Sequence, residues 1–470
     1  MNTKSLKLNA FFNMLRTTLN IIFPLVTFPY ITRVLSPEGI GMIEFSRSIS
    51  NYFILIAALG ITQYAVREGA AIKGDKTKLV EFSNQMFTLN LFSASIAFVT
   101  LIIILLIPTN LNMYSHIIII FSFQIIFDAI AVEWLYTLEE DFIYITIRSF
   151  IFQVISMILM FVLVKSKEDY LLYVMITTFS LGGSYIFNFI HSKKYVKLRI
   201  NTNFFQHLKP VCILFLNNIA STIYLNSDIT ILGLISSDYH VGIYSTGVKI
   251  YTIVKKMTNA VLMSMIPRLS FYYRNDNKDA YNYLVNEIFW SMIMLIIPSS
   301  VGLISLRNEI VSIIAGPRFM NSTNSLMILS IGLVFSVISA YFIYGVLLVQ
   351  KKENKILKVT LISAVINILF NISLIPFFNE IGAAISTVFC EMFVVIYSYK
   401  ICSKAIKIRF DLKRILSILA GSILVFAICT IFSNVFNNDM LSLITSIFLS
   451  VISYIGIIIL TGTLPDYEYK

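Results

Sequence analysis

The stretch FPYITRVLSPEGIGMIEFSRSISNYFILIAALGITQYAVREGAA, from Phe28 to Ala71, decides how the rest of the chain is interpreted. It ends one apolar segment, makes a short polar turn at residues 36–39, and continues directly into a second apolar segment. Runs of about 20 apolar residues are long enough to cross a membrane as helices. The stretch therefore predicts two consecutive membrane helices joined by a tight polar turn.

A related stretch, ITILGLISSDYHVGIYSTGVKIYTIVKKMTNAVLMSMIPRLS, runs from Ile229 to Ser270. Gly41 matches Gly242 and Arg67 matches Arg268 at the same offset, and the apolar and polar positions agree between the two stretches. Weak internal repeats with polar residues inside hydrophobic segments are typical of secondary transporters. The match favours a duplicated unit over a chance similarity between two isoleucine-rich helices.

The composition places the chain in a membrane. Of its 470 residues, 57% are hydrophobic and 13% are charged, and the mean hydropathy is +0.81. A soluble domain carries about 25% charged residues. The four cysteines form no CxxC pair and the four histidines are scattered, which argues against a disulfide framework or a metal site. We expect no cofactor.

The apolar runs predict an all-α integral membrane protein with about fourteen membrane-spanning helices. The predicted spans lie at about 10–32, 42–62, 84–107, 115–135, 143–163, 171–191, 211–234, 243–267, 284–306, 324–349, 357–377, 380–402, 412–434 and 441–462. We divide the chain into an N-terminal six-helix lobe (1–191), a cytoplasmic linker (192–210), a C-terminal six-helix lobe (211–402), and a basic linker with spans 13 and 14 (403–470).

The basic residues set the orientation of the chain. With a cytoplasmic N-terminus, the cytoplasmic connections hold most of the 36 Lys and Arg residues, and the outer connections hold few. Membrane proteins keep an excess of Lys and Arg on the cytoplasmic side. Both termini are therefore predicted to be cytoplasmic, and the net charge of +11 needs no nucleic-acid partner.

Some basic residues fall inside the predicted spans: Arg16, Arg47, Arg148, Lys249, Lys255 and Lys256. Each would cost about 2.5–3.5 kcal/mol at the bilayer centre, so we expect them to face the interior of the bundle or a water-filled cavity. The alternative is a structural role, in which the side chain reaches the membrane surface or pairs with an acid.

Polar residues recur at helical spacing in four spans that the repeat relates in pairs. The first lobe contributes Asn9, Asn13, Arg16, Asn20 and Thr27 in span 1, and Glu44, Ser48 and Asn51, with Arg47 beside them, in span 2. The second lobe contributes Asn217, Ser221 and Asp228 in span 7, and Ser245, Lys249, Thr252, Lys256 and Asn259 in span 8. Such stripes can join helices, but their matched positions and positive charges favour the lining of a central cavity.

Asp228 is the best candidate for an ion-coupling site. No basic residue lies within a helical turn of it on its own span, so it must pair across helices, bind a cation or carry a proton. The chain has no nucleophile–His–acid set, no HExxH motif and no phosphate-binding glycine-rich loop. We therefore expect a transporter rather than an enzyme or an ATP-driven pump.

Three motifs together resemble the Wzx-type polysaccharide flippases of the multidrug/oligosaccharidyl-lipid/polysaccharide exporter superfamily. They are FPYITRVLSPEGIGMIEFSRSISNYF with LGITQYAVREGA, SDITILGLISSDYHVGIYSTGVKIYTIVKK with MIPRLS, and NILFNISLIPFFNEIGAAISTVFCE. The resemblance covers the first twelve spans. It implies two six-helix lobes around a central cavity that opens alternately to each side of the membrane, and spans 13 and 14 resemble the extra pair of the fourteen-helix branches.

The resemblance also implies a substrate, an undecaprenyl-pyrophosphate-linked oligosaccharide repeat unit. Such a unit is flipped to the outer leaflet of the bacterial cytoplasmic membrane for O-antigen or capsule assembly. We expect the pyrophosphate and the cavity to be served by Arg16, Arg47, Lys249, Lys256, Asn20, Asn51, Asn217 and Thr252. A proton or a sodium ion would be the coupling ion and the polysaccharide polymerase a partner. The alternatives are a cation-coupled multidrug-type antiporter of the same fold and a membrane scaffold for glycan-assembly enzymes.

The predicted topology can be tested by labelling introduced cysteines in intact spheroplasts after the native cysteines have been replaced. Pro37→Cys and Asn110→Cys should react with a membrane-impermeant thiol reagent, because both positions are predicted to face outside. Lys194→Cys and Lys404→Cys should react only after lysis. Labelling of position 194 before lysis would overturn the orientation.

Overall fold

A computed structural model describes residues 6–403, 406 and 408–467 of the chain, without the side chains of residues 6, 7, 10 and 217. The side chain of the predicted site residue Asn217 and all of the topology marker Lys404 therefore lie outside the described residues. The described residues form helices joined by short turns and contain no β-strand. The all-α class predicted from the sequence is confirmed.

The chain divides into two compact units, Met1–Asn226 and Ser227–Lys470. The helices that begin in the N-terminal unit are α1 (Leu6–Val34), α2 (Pro37–Ala58), α3 (Ile61–Ile72), α4 (Lys76–Leu106), α5 (Ser115–Ala131), α6 (Glu133–Leu138), α7 (Phe142–Leu163), α8 (Tyr170–Ser192) and α9 (Leu208–Ile235). Those that begin in the C-terminal unit are α10 (Asp238–Arg274), α11 (Lys278–Ser305), α12 (Arg307–Ile314), α13 (Ser322–Ala340), α14 (Glu353–Cys402), α15 (Leu412–Val435) and α16 (Asp439–Leu460). The boundary between the units falls within α9, and the predicted division at residues 191, 210 and 402 stays a prediction.

Twelve helical segments of the described chain are long and apolar enough to cross a membrane. Two features account for the difference from the fourteen predicted spans. Helix α14 has 50 residues and covers both span 11 and span 12. Helix α10 has 37 residues, which is long enough to span, but its apolar run is interrupted by lysines. The predicted spans thus all lie on helices of a multi-pass membrane protein.

The two repeat-related stretches begin their helices at equivalent residues. Ser36 precedes α2 and accepts a hydrogen bond from the backbone N–H of Gly39 at 3.2 Å, with Pro37 as the first helical residue. Ser and Pro favour these two positions because the Ser oxygen satisfies a free N–H and Pro has none to satisfy. Ser237, at the equivalent place in the second stretch, precedes α10 in the same extended conformation.

Two predicted spans are interrupted, which the hydrophobic pattern alone did not indicate. Leu59 and Gly60 both have a left-handed backbone conformation and separate α2 from α3. Val132 has the same conformation and separates α5 from α6. The short helices α3 and α6 pack together with α4 around Trp134 and Tyr136. The burial of these two aromatic side chains, each 1% exposed or less, stabilises the interrupted backbone.

The C-terminal unit contains two further irregularities. Helix α13 continues into a π-helical segment, Tyr341–Leu348, and α14 is kinked at Asn379, whose φ is 47°. The Asn379 side chain accepts a hydrogen bond from the Ser236 hydroxyl at 2.7 Å. Close to the kink, a Cβ atom on Gly382 would lie 2.6 Å from the carbonyl oxygen of Leu374, so the two halves of α14 approach each other at this glycine.

Gly382→Ala should destabilise the protein by about 1–3 kcal/mol, because the added methyl group meets backbone that cannot move aside. Thermal unfolding of the detergent-solubilised protein, followed by fluorescence-detected gel filtration, measures the change. Gly302→Ala is the matched control, since nothing lies within 4 Å of its added Cβ in the helix α11. Equal melting temperatures for the two variants would show that the approach at Gly382 is looser than described.

Candidate functional site

Arg16 of α1 lies in a three-residue ion cluster within the N-terminal unit. Its guanidinium donates to both oxygens of Glu133, at 3.1 and 3.2 Å, and Arg148 of α7 donates to one of the same oxygens at 3.3 Å. Glu133 is the first residue of α6, directly after the left-handed Val132. The interrupted span therefore presents one carboxylate to two arginines from different helices.

Two other polar residues of span 1, Asn20 and Thr27, make hydrogen bonds of different kinds. Asn20 accepts a hydrogen bond from Gln153 of α7 at 2.8 Å. Thr27 donates to the carbonyl oxygen of Phe23 in its own helix at 3.0 Å. The predicted cavity residue Asn20 is thus part of the contact between α1 and α7, which adds an inter-helix role to the expected one.

Arg47 of α2 lies 3.6 Å from Glu44 and 5.0 Å from the centre of the Phe121 ring of α5. Its Nε atom is buried and has no hydrogen-bond acceptor among the described residues. On the same helix, Asn51 donates to the side-chain oxygen of Asn226 at 3.1 Å. Arg16 and Arg47 are therefore held separately, each by its own glutamate.

Asp228 is buried in a cluster of neutral donors within the C-terminal unit. Its carboxylate accepts hydrogen bonds from the Asn371 amide at 2.6 Å, the Thr387 hydroxyl at 2.7 Å and the Tyr244 hydroxyl at 2.9 Å. The side-chain oxygen of Asn367 accepts from Asn371 at 3.0 Å. The described structure thus surrounds Asp228 with amides and hydroxyls rather than with the lysine that an inter-helix ion pair requires.

The other predicted residues of the C-terminal unit lie along α10. Lys249 and Thr252 are half-buried, and Lys256 is exposed. Spacings of three, four and seven residues place side chains on one face of a helix. These three residues therefore share a face of α10, as the stripe predicted.

The C-terminal unit also contains an ion-paired cluster that the sequence did not predict as a site. Lys255 of α10 lies 3.2 Å from the Glu391 carboxylate, which also accepts hydrogen bonds from Ser336 at 2.8 Å and Ser339 at 3.1 Å. The Lys255 ammonium also lies 5.5 Å from the centre of the Tyr251 ring. Lys255 is thus an ion-pair partner, the structural role that sequence reasoning left open for an intramembrane lysine.

Spacing in the third motif could have revealed several of these partners. Asn367 and Asn371 are four residues apart, as are Thr387 and Glu391, so each pair shares a face of an otherwise apolar helix. The partnership of Glu133 with Arg16 has no such local signal, because the two residues are 117 positions apart. No group of three or more His, Cys, Asp or Glu residues that could hold a metal ion occurs in the described part of the chain.

The family of the chain follows from comparison with known proteins. A family model described as "Polysaccharide biosynthesis protein" matches residues 6–273, which is more than half of the chain. The chain belongs to this family. The resemblance carried by the three motifs is therefore confirmed at the level of the family.

Two curated relatives match this chain over most of their own length. A putative O-antigen transporter of Escherichia coli K12 is 25% identical over 404 residues, which are 84% of this chain and 95% of the relative. The capsular polysaccharide biosynthesis protein CapF of Staphylococcus aureus is 24% identical over 376 residues, which are 78% of this chain and 92% of the relative.

Solved structures show the fold. The lipid II flippase MurJ, in an inward closed conformation, superposes with a TM-score of 0.79 at 17% identity, over 97% of this chain and 100% of that one. A multidrug resistance MATE family transporter of the MOP superfamily, in an inward-facing conformation, gives a TM-score of 0.62 at 13% identity, over 83% of this chain and 97% of that one. The polysaccharide biosynthesis chain thus has the fold of these membrane transporters.

Proposed function

We propose that this chain is a flippase for lipid-linked oligosaccharides. It would move an undecaprenyl-pyrophosphate-linked repeat unit from the inner to the outer leaflet of the bacterial cytoplasmic membrane by alternating access, without covalent chemistry. Support comes from the family, from relatives named for O-antigen transport and capsule synthesis, and from the fold shared with a lipid II flippase.

The observation that carries this proposal is the set of cations on membrane helices. A pyrophosphate must cross about 30 Å of hydrocarbon, where an uncompensated charge is prohibitively costly. Arg16 and Arg47 in the N-terminal unit, and Lys249 and Lys256 in the C-terminal unit, can neutralise it. Arginine binds phosphate oxygens in pairs, whereas lysine acts as a movable point charge.

We further propose that Asp228 is the coupling site for a proton or a sodium ion. The Asn371 amide oxygen beside it is buried and has no hydrogen-bond partner among the described residues. Rotating that amide would turn its oxygen toward the carboxylate, where it could accept the proton of a neutral Asp228. The same oxygen, with those of Asp228, Thr387 and Asn367, could instead contact a hard cation, which prefers oxygen ligands.

A small-molecule antiporter of the same fold is the alternative, because the MATE transporter shares the architecture and Asp228 would serve either activity. The cations of α1, α2 and α10 favour an anionic substrate over a cationic drug. The polysaccharide polymerase is proposed as a partner on the basis of the pathway class alone.

Arg16→Ala and Arg47→Ala should each lower glycan export by about tenfold or more, because a charge-assisted hydrogen bond contributes about 1.5–3 kcal/mol. The Lys variants at these positions should restore export only in part, because an ammonium cannot bind two phosphate oxygens in parallel. Export is measured as surface glycan in a strain that lacks the gene and is rescued by each variant. Accumulation of untransferred glycolipid in the deletion strain identifies the substrate.

Arg67→Ala is the matched control, because Arg67 is 62% exposed and its ion pair with the neighbouring Glu68 contributes little to stability. Normal surface glycan in well-expressed variants at Arg47 and Lys249 would show that these charges are structural. Efflux of a cationic drug without any effect on glycolipid would favour the antiporter.

Asp228→Asn should preserve expression but abolish ion-driven transport, because the neutral amide can neither take up a proton nor attract a cation. Transport in proteoliposomes, driven by a sodium gradient or by a pH gradient in separate experiments, identifies the ion. Asp439→Asn, in the exposed first turn of α16, is the control for an Asp-to-Asn change. Full activity of Asp228→Asn with unchanged ion dependence would remove this residue from the mechanism.

A further inference from the structure

The Glu133 cluster carries more than a pair of charges. Two guanidinium groups, those of Arg16 and Arg148, share the one carboxylate of Glu133. These three ion-paired groups therefore carry a net positive charge. A net charge within the membrane is costly unless a counter-ion compensates it.

The three members of the ion cluster differ in exposure. Arg148 is 5% exposed, whereas the side chains of Arg16 and Glu133 are 26% and 29% exposed. A purely structural cluster between packed helices would be expected to bury all three. Here the buried arginine anchors the carboxylate, and the second arginine lies on its accessible side.

The donors of Arg148 are only partly satisfied. Its Nε and Nη1 atoms are buried and have no hydrogen-bond acceptor among the described residues. Leaving a buried donor without a partner costs about 1–3 kcal/mol. Arg148 therefore depends on the Glu133 carboxylate and the Ser149 hydroxyl for the acceptors that it has.

We propose that Glu133 is a stand-in for the anionic group of the substrate. Glu133 binds Arg16 while no substrate is bound. When the lipid headgroup enters, Arg16 leaves Glu133 and binds a diphosphate oxygen, while Arg148 continues to neutralise Glu133. On release of the headgroup, Glu133 recovers Arg16 and so favours dissociation. Glu133 is therefore a positioning residue, and this inference rests on the proposed diphosphate substrate.

Binding of undecaprenyl diphosphate to the full chain in nanodiscs tests the exchange. Glu133→Gln should tighten binding by about three- to tenfold, because the amide no longer competes as an anion for a partly buried arginine. Export per cell should fall at the same time, because release becomes slower. Inorganic pyrophosphate is the second probe: tightening with it as well shows that the headgroup alone is recognised, and tightening only with the lipid shows that the anchor contributes.

A double-mutant cycle separates exchange from a structural role. Arg16→Gln should weaken binding. Adding Glu133→Gln to it should change the affinity no further, because Glu133 and the diphosphate no longer compete for an arginine at position 16. Glu133→Asp keeps the negative charge beside Arg148, but its shorter side chain reaches Arg16 less well. It should therefore tighten binding by a smaller factor than Glu133→Gln. It replaces Glu133→Gln in the test if that variant does not fold. Glu68→Gln, at the exposed pair with Arg67, is the control and should leave the affinity unchanged.

The outcomes distinguish this inference from the function on which it rests. Wild-type chain that binds the lipid diphosphate, with equal or weaker binding by both Glu133 variants, overturns the exchange alone. Independent effects of the two substitutions in the cycle overturn it as well. Wild-type chain that binds neither probe overturns the diphosphate substrate and the exchange together.

Discussion

Charge inside hydrocarbon must be neutralised by the protein itself, and this constraint explains much of the arrangement of the helices. Each intramembrane charge costs about 2.5–3.5 kcal/mol when left facing lipid. Glu133 neutralises arginines from α1 and α7, and Glu391 of α14 binds Lys255 of α10 and two serines of α13. The interactions that make these charges tolerable therefore also determine which helices are neighbours within each unit.

The breaks in the helices follow the same constraint. Backbone groups freed by a break are costly in a membrane unless other groups satisfy them, so a break is best placed where polar partners are available. Val132 ends α5 directly before Glu133, and Asn379 interrupts α14 while its side chain accepts from Ser236. At Val132 and Asn379 the irregular backbone and a polar side chain thus occur together, and the residue after Val132 is the glutamate that binds arginines of α1 and α7.

Most of the fold could be predicted from the sequence, because the length of an apolar run decides whether a helix can cross a membrane. The breaks at Leu59 and Val132 could not, since neither residue type favours a left-handed conformation and tertiary packing imposes it. The predicted site residues lie on the expected helices, but most of their partners are remote in sequence. Asn371 and Thr387 belong to the third family motif, and no local sequence pattern links them to Asp228.

The arginines of the N-terminal unit and Asp228 of the C-terminal unit are held by different kinds of partner. In the N-terminal unit, arginines are paired with glutamates, so the exchange that we propose would replace one anion by another. In the C-terminal unit, Asp228 accepts hydrogen bonds from neutral donors instead, which is why we propose it as the coupling site. Thr387 at this site and Glu391 are one helical turn apart on α14, and Tyr244 and Lys255 both lie on α10. A displacement of either helix would therefore move the proposed coupling site and the Lys255 ion pair together.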